Sequence, residues 1–396
     1  MKSILLIGWY FYPNLGGVET VMLNQARFFL KKGYKITVLT SKIEGHPDEE
    51  EFEKILILRR TYLDSSRAEE QQKVEEDLKR IIEVTKPDII HFHNGSYPAG
   101  STNITAGVQN AKAIFNLAKR YRIPIIDHAH NAQLKNPEAT KALRELAWDY
   151  LIFVSRFVQE EWKKLGFATK RYSIVKNGIE VEKFAKAKPD QKVKRLKRGN
   201  KKIIFFPARI VKISTGELSG QKNFRLLAKA CGILIKRDFK DFLILGFLDK
   251  SVKEVLKEPK LKGLADLIKE NSLEKNLVFL PPASYDQMPS YYKSSDIVCV
   301  PSIKEAFSLT HIEALASGKV AIATNTGGTP ELIKNGINGF MVRPDDPDGL
   351  ADILSKIMKD QRLADEIKLN GLKTASLFTV ERAMNQIKKI YQEVLS

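Results

Sequence analysis

Two carboxylates eight residues apart, Glu305 and Glu313, bracket the segment of this 396-residue chain best equipped for chemistry. The segment reads Ser302-Ile-Lys-Glu305-Ala-Phe-Ser-Leu-Thr-His-Ile-Glu313-Ala-Leu-Ala-Ser-Gly318. It follows the apolar run Asp296 to Pro301, which reads as a buried parallel strand, and continues into Leu309 to Ser317, which has helical spacing and stops at Gly318. A strand, a loop and a helix start in that order suit a phosphate, because the first N–H groups of a helix lack partners and its dipole is positive there. Glu305 falls in the loop and Glu313 about one turn into the helix, so the pair could hold two parts of one elongated ligand. In the plainer reading, Glu313 is an ordinary helix-surface residue and Glu305 a loop charge.

Cations of the right kind lie upstream. Between a strand at Lys202 to Phe206 and a helix at Asn223 to Lys236, Arg209 would present a forked guanidinium and Lys222 a compact ammonium at a helix start. With the amides that open the Phe307 to Glu313 helix they would neutralise a diphosphate. Plain surface basicity is the alternative for both. Four of the six histidines, His91, His93, His128 and His130, sit at the ends of two apolar runs, where open α/β sheets bind ligands. His91 and His128 read as packed core residues, and His130, beyond its strand and next to Asn131, as the functional imidazole. No recognised ligand spacing marks them as a metal site.

The elements that would position these residues alternate along the chain. Ile4 to Ile7 reads as a strand, Gly8 to Gly17 as a loop, Val18 to Lys32 as an amphipathic helix closed by Gly33, and Ile36 to Leu39 as the next strand, a βαβ unit. Asn14-Leu-Gly16-Gly17 lies in its first loop, where Gly16 and Gly17 let backbone approach a ligand, or simply make a tight turn. Strands follow at Pro87 to Asn94, ending in polar residues, at Ile123 to Asn131, ending in ionisable side chains, and at Leu151 to Val154, with Ser155 as a helix cap before Arg156 to Leu165. Composition shifts after Asn177-Gly178, and the basic stretch Glu180 to Asn200 reads as the crossing to a second alternating series. Its strands are expected at Lys202 to Phe206, Phe242 to Leu245, Leu277 to Leu280, Asp296 to Val300, Val320 to Thr324 and Gly339 to Val342. Val252 to Lys269 reads as helical, and the chain ends in helices at Pro347 to Met358, Arg362 to Thr374 and Thr379 to Leu395. The expected fold is α/β: two doubly wound domains in series, with a cleft between two sets of strand ends.

Bulk properties narrow the function classes. No apolar run approaches the ~20 residues that span a bilayer, and the short apolar opening leads into Trp9 to Gly17 without a cleavage pattern, so it is read as a strand rather than a signal peptide. Cys231 and Cys299 are the only cysteines, which suits a reducing compartment and argues against a disulfide or zinc framework. A balance of 65 basic against 47 acidic residues, formally +18, favours an anionic partner without choosing between nucleic acid, membrane surface and phosphorylated substrate. The densest basic cluster, Lys186 to Lys202, has no interleaved aromatic and no nucleic-acid module signature; it reads as a solvated helix or linker face.

Taken together, the Gly16-Gly17 loop, His130 after a strand, Asn177-Gly178-Ile179, Arg209 with Lys222-Asn223, Pro301-Ser302 before Glu305-x7-Glu313-Ala314, and Gly327-Gly328-x-x-Glu331 resemble the retaining GT-B glycosyltransferases of family 4. The resemblance covers nearly the whole chain and implies two Rossmann-like domains, 1–180 with a returning helix at 379–396 for the acceptor, and 181–378 for a nucleotide-sugar donor. It implies that Glu313 holds the donor's ribose, Glu305 the transferred sugar, Arg209 and Lys222 the diphosphate, and that His130 faces the sugar near the reacting centre. Gly16, Gly17, Phe307, Ser308, Leu309 and Thr310 complete the implied donor set. The implied reaction is metal-independent transfer of a hexose-type sugar from a UDP-, GDP- or ADP-sugar to a glycan or lipid-linked acceptor. A cytoplasmic protein is expected, with peripheral contact to an anionic membrane motivated by the charge and no nucleic acid. A nucleotide-sugar 2-epimerase of related architecture and a basic nucleic-acid or membrane-surface module are the alternatives. The chain departs from the family at Ala306 and Ser308, where glycines are usual and whose loss should stiffen the loop, at His311, and in the lengthened stretch that makes Lys212 a rival to Lys222.

Overall fold

A computed structural model of the chain describes residues 2–13, 16–63, 71–94, 104–131, 137–167, 171–197, 199, 201–211, 215–218 and 220–396. Asn14, Leu15, Arg198, Asn200 and Lys212 fall outside them. Two compact units result, Met1–Gly178 with Val380–Ser396, and Ile179–Thr379. The Ile179 N–H donates to the Phe378 carbonyl at 2.9 Å, and Ile179 bridges to Thr379, which places Ile179, Glu180 and Thr379 with the second unit.

The first unit is built on eight strands: β1 (Ser3–Gly8), β2 (Lys35–Ser41), β3 (Glu49–Phe52), β4 (Ile55–Arg60), β5 (Ile89–His93), β6 (Ile125–Ala129), β7 (Tyr150–Phe153) and β8 (Tyr172–Ile174). Their order is β3-β4-β2-β1-β5-β6-β7-β8, and only β3 runs antiparallel to its neighbour. Apolar runs such as Ile4 to Ile7 are buried on both faces, as crossover helices require of a parallel sheet. Chain order reverses between β1 and β5, so loops after those strands diverge and leave room at their carboxyl ends. The Val380–Leu395 helix packs into this unit's core through Ile387, Ile390 and Tyr391, with Tyr391 4.9 Å from the ring of Phe29. Sequence reading did not foresee the β3–β4 hairpin. Its turn, Glu53-Lys54, takes positive φ at both residues (52° and 66°), a two-residue hairpin geometry that usually selects Asn or Gly and so escapes recognition.

Six parallel strands make the second unit: β9 (Lys202–Phe206), β10 (Phe242–Phe247), β11 (Leu277–Leu280), β12 (Ile297–Val300), β13 (Val320–Thr324) and β14 (Phe340–Val342), in the order β11-β10-β9-β12-β13-β14. Renumbered within the unit this is 3-2-1-4-5-6, the order of dinucleotide-binding sheets, with its switch point between β9 and β12. The helix expected from Val252 to Lys269 is broken into Val252–Val255, a 3₁₀ turn at Pro259–Leu261 and Lys262–Glu270. Pro259 is the reason: it has no N–H to donate and holds Glu258 in an extended conformation. Gly327-Gly328 opens a 3₁₀ turn, Thr329–Glu331. Helices at Pro137–Arg144 and Met288–Ser294 were not anticipated.

Candidate functional site

At the switch point of the second unit, the loop after β9 carries Arg209 and Lys222 and the loop after β12 carries Glu305. A backbone bond from the Ile303 N–H to the Gln221 carbonyl, 2.9 Å, ties the two loops together. Lys222 precedes Asn223, a left-handed residue (φ 55°) that caps the Phe224–Lys236 helix without a side-chain cap bond and sends its amide to the Pro344 carbonyl at 3.0 Å. Asn tolerates that conformation better than most residues, so the Lys222-Asn223 pair has a backbone reason. Arg209 stands exposed in the same loop.

The Lys222 ammonium donates to Glu305 Oε2 at 2.8 Å, and the Ser302 hydroxyl donates to the same oxygen at 3.2 Å. Glu305 is buried, whereas 28 % of the Lys222 side chain remains accessible, so the cation is the partner that can be approached. The Glu305 carbonyl accepts from the Gly328 N–H at 2.8 Å, and Thr324 Oγ1 donates to the Ser302 carbonyl. These bonds tie Ser302, Glu305, Thr324 and Gly328 together, each fixing part of one loop.

The Leu309–Ala316 helix begins at Ser308, whose hydroxyl makes no cap bond and is buried without a partner among the described residues. Its opening N–H groups therefore have no side-chain acceptor at Ser308, as an anion site needs. Ser308 is extended (φ −94°), and neither it nor Ala306 has positive φ, so the backbone does not require glycine at either position. His311 is buried, with Nε2 3.3 Å from the Ile322 carbonyl, and burial pushes its pKa down to about 4: a neutral core residue.

Glu313 is not a surface residue. Only 9 % exposed, it accepts a 2.6 Å hydrogen bond from the hydroxyl of Tyr292. Burial pushes its pKa up to about 7, against the Tyr292 hydrogen bond and the charge of Lys183, which both favour the carboxylate. Tyr292, in the unforeseen Met288–Ser294 helix, had no signal beyond an aromatic pair ahead of a strand.

The second constellation lies in the first unit. His93 and His128 are register partners on β5 and β6, and all four imidazoles are buried. His93 Nδ1 meets His130 Nε2 at 2.9 Å, and His91 Nδ1 meets the Tyr391 hydroxyl at 2.7 Å, so His91 serves packing. His130 is further gripped by Asn94, whose Oδ1 accepts its backbone N–H at 2.7 Å, and by the Asn177 amide, 3.5 Å from Nδ1. Asn94 has positive φ (60°), another asparagine in the left-handed region. Desolvation pushes His91 and His130 down to about 3, and His93 and His128 well below their ordinary value, so the rings are neutral near pH 7. Ring nitrogens of His91, His93 and His128 come within 4.8 Å of one another, the spacing a metal would need. The His91 and His93 rings, however, stack with centroids 4.8 Å apart and planes 18° from parallel, and in-plane lone pairs of stacked rings do not converge on one ion. Gly16 and Gly17, at the start of the Gly17–Lys31 helix, belong to this unit too. A Cβ on Gly16 would fall 2.5 Å from Glu19 Oε2.

The basic stretch forms a short helix, Gln191–Leu196, capped by Asp190 and anchored by buried Val193, with Lys192, Lys194 and Arg195 exposed. Lys197 pairs with Asp296 at 2.8 Å. No helix among the described residues is long and apolar enough to cross a membrane.

Comparison with known proteins adds an independent line. The family described as Glycosyltransferase Family 4 matches residues 15–183, and the one described as Glycosyl transferases group 1 matches residues 187–374. An uncharacterised glycosyltransferase of Methanocaldococcus jannaschii is 24 % identical, over 94 % of this chain and 93 % of its own. Among solved structures, sucrose-phosphate synthase from Thermosynechococcus elongatus has a TM-score of 0.78 at 17 % identity, covering 100 % of this chain and 99 % of its own. Anabaena HepE, solved in complex with UDP and glucose, has a TM-score of 0.75 at 18 % identity, covering 99 % of this chain and 100 % of its own.

Proposed function

Since the chain belongs to the family 4, group 1 glycosyltransferases of GT-B fold and transfers a sugar from a nucleotide-diphosphate donor to an acceptor, we propose that Ile179–Thr379 holds the donor and that Met1–Gly178 with the final helix takes the acceptor. The convergence of Lys222, Glu305 and an uncapped helix start at the β9/β12 switch point supports this. Arg209, Lys222 and the amides of Phe307 to Thr310 receive the diphosphate, Glu305 the hydroxyls of a hexose, and Glu313 the ribose. A diphosphate beside Lys222 competes for the ammonium that Glu305 now holds, and the released carboxylate is then free to accept from sugar hydroxyls. Gly16 and Gly17 offer backbone at close approach, and His130 contributes as a neutral imidazole.

Breaking the anomeric C–O bond moves negative charge onto the β-phosphate while the sugar becomes oxocarbenium-like. Fixed cations and amides at that phosphate stabilise the transition state more than the ground state, and removing one such donor typically costs ~10²–10³ in rate. Same-face attack, with a phosphate oxygen taking the acceptor's proton, gives retention without a separate base. The exposed Lys192, Lys194 and Arg195 support a lipid-linked acceptor, reached by a cytoplasmic enzyme at an anionic membrane surface.

Thermal shift against UDP, GDP, ADP and their sugars tests the donor assignment, because a ligand that binds only the folded state raises Tm. One nucleotide series should stabilise the protein, with turnover only when acceptor is present. Conversion of donor without acceptor would make the protein an epimerase. Equal activity on soluble and vesicle-borne acceptors would remove the membrane role.

A further inference from the structure

Tyr292 is built into the second unit as though its hydroxyl direction mattered. Its ring is fully buried, edge-on to Phe184 (5.6 Å) and Phe205 (5.3 Å), and its backbone carbonyl accepts from both the N–H and the hydroxyl of Ser295. The phenol donates to Glu313 Oε2 at 2.6 Å and is hydrogen-bonded on its other side by Thr310, in the first turn of the helix that carries Glu313. With Oε2 occupied from inside the protein, Oε1 is the oxygen left for a ligand. We propose that Tyr292 is a positioning residue for nucleotide binding: its 2.6 Å hydrogen bond holds the Glu313 side chain in place as the ionised carboxylate and thereby sets affinity for the donor's ribose.

A diol is held best by a carboxylate, which accepts at every lone pair, and poorly by a carboxylic acid that must itself donate. Burial works against the ionised form of Glu313, and the short bond from Tyr292 works for it. The other groups facing the pair are few. Lys183, from Val181–Ala185, acts on Glu313, and Tyr285 on Tyr292. β12 and β13, packed on the same helix, carry no Asp, Glu, Lys, Arg or His, and Gln361–Ala375, which meets it where Gly371 faces Leu315, carries Arg362, Asp365, Glu366, Lys368 and Lys373. Removing one hydroxyl therefore removes a main support of the carboxylate without emptying the space the ring fills.

Tyr292 acts in this way only if Glu313 holds the ribose, as proposed above, so the test separates the two. Kd for UDP, with GDP and ADP alongside, is measured by calorimetry from pH 6 to 9 for the wild type, Tyr292→Phe and Glu313→Gln. Ionisation of the diphosphate itself is common to all three proteins and cancels in ratios. Wild-type affinity should rise through about pH 7. Losing the hydroxyl at about one pKa unit should make Tyr292→Phe bind about fivefold more weakly at pH 7, where about half of the wild-type carboxylate is ionised, and recover towards wild type at pH 9, with kcat at saturating donor little changed there. Glu313→Gln should bind weakly with no such step. Unchanged Kd in Tyr292→Phe, or a loss equal at every pH, overturns the inference while leaving the donor site standing. Wild-type affinity in Glu313→Gln overturns the ribose assignment itself. Difluorotyrosine at 292, nearly isosteric and a stronger donor, supplies the opposite sign: its step should move to lower pH, and failure to move counts against Tyr292 even if the phenylalanine variant does not fold.

Discussion

Glu305 and Lys222 are each other's nearest opposite charge before any donor arrives, and this shapes what their removal should do. On the proposed assignment Lys222→Ala takes away a hydrogen-bond donor to the phosphate, and it leaves a buried carboxylate whose remaining side-chain partner among the described residues is the Ser302 hydroxyl. Turnover should fall ~10²-fold or more; Arg209→Ala, at an exposed position, should lower it with no loss of Tm. Steady-state kinetics with both variants check this, and near-normal kcat in both would remove the phosphate assignment. The carboxylate pair, the cations and His130 were all visible as residue types at informative spacing. Tyr292 and Asn94 were not, because a buried tyrosine and a left-handed asparagine differ from ordinary ones only in what surrounds them.

Among the elements, the Leu309–Ala316 helix carries Glu313, and its packing against Gln361–Ala375 is tight. Gly371, in Gln361–Ala375, faces Leu315 so closely that an added Cβ would lie 2.9 Å from a Leu315 methyl. Gly371→Ala should therefore cost about 1 kcal/mol net, overpacking being partly offset by the ~1 kcal/mol that Ala gains over Gly inside a helix, visible as a slightly lower urea midpoint. Wild-type stability would show that Leu315 can swing aside. Strands and long helices were legible from apolar runs and helical spacing. The Pro259 break and the Glu53-Lys54 hairpin were not, since neighbouring pattern or unusual turn residues masked them.

On the scale of the whole molecule, five buried histidines are neutral in the folded protein: His91, His93, His128, His130 and His311. In the unfolded chain each titrates near 6.5, so below that pH the unfolded state binds more protons and stability falls as pH falls. The loss should begin below about pH 6.5 and continue towards the folded-state values of about 3 for His91 and His130 and about 4 for His311. Tm followed from pH 8 to 4 should drop steadily beneath 6.5; a flat profile down to pH 4.5 would mean that the cluster accepts protons in the native state. Well above pH 6.5 these groups add no pH dependence, and the part of any change in donor affinity near pH 7 that Glu313→Gln lacks belongs to Glu313.

By itself the sequence determined the alternation of strands and helices, the two-series organisation and the residue types able to meet a nucleotide sugar, because these depend on periodicity, turn chemistry and spacing along one chain. Tertiary structure alone decided that Lys222 and Glu305 are partners across 83 residues, that Glu313 is buried against Tyr292, and that four histidines at the ends of two strands cluster as neutral rings. Each depends on which strands become neighbours. Ion pairing, burial and protonation follow from distance in space, which parallel crossovers uncouple from distance in sequence.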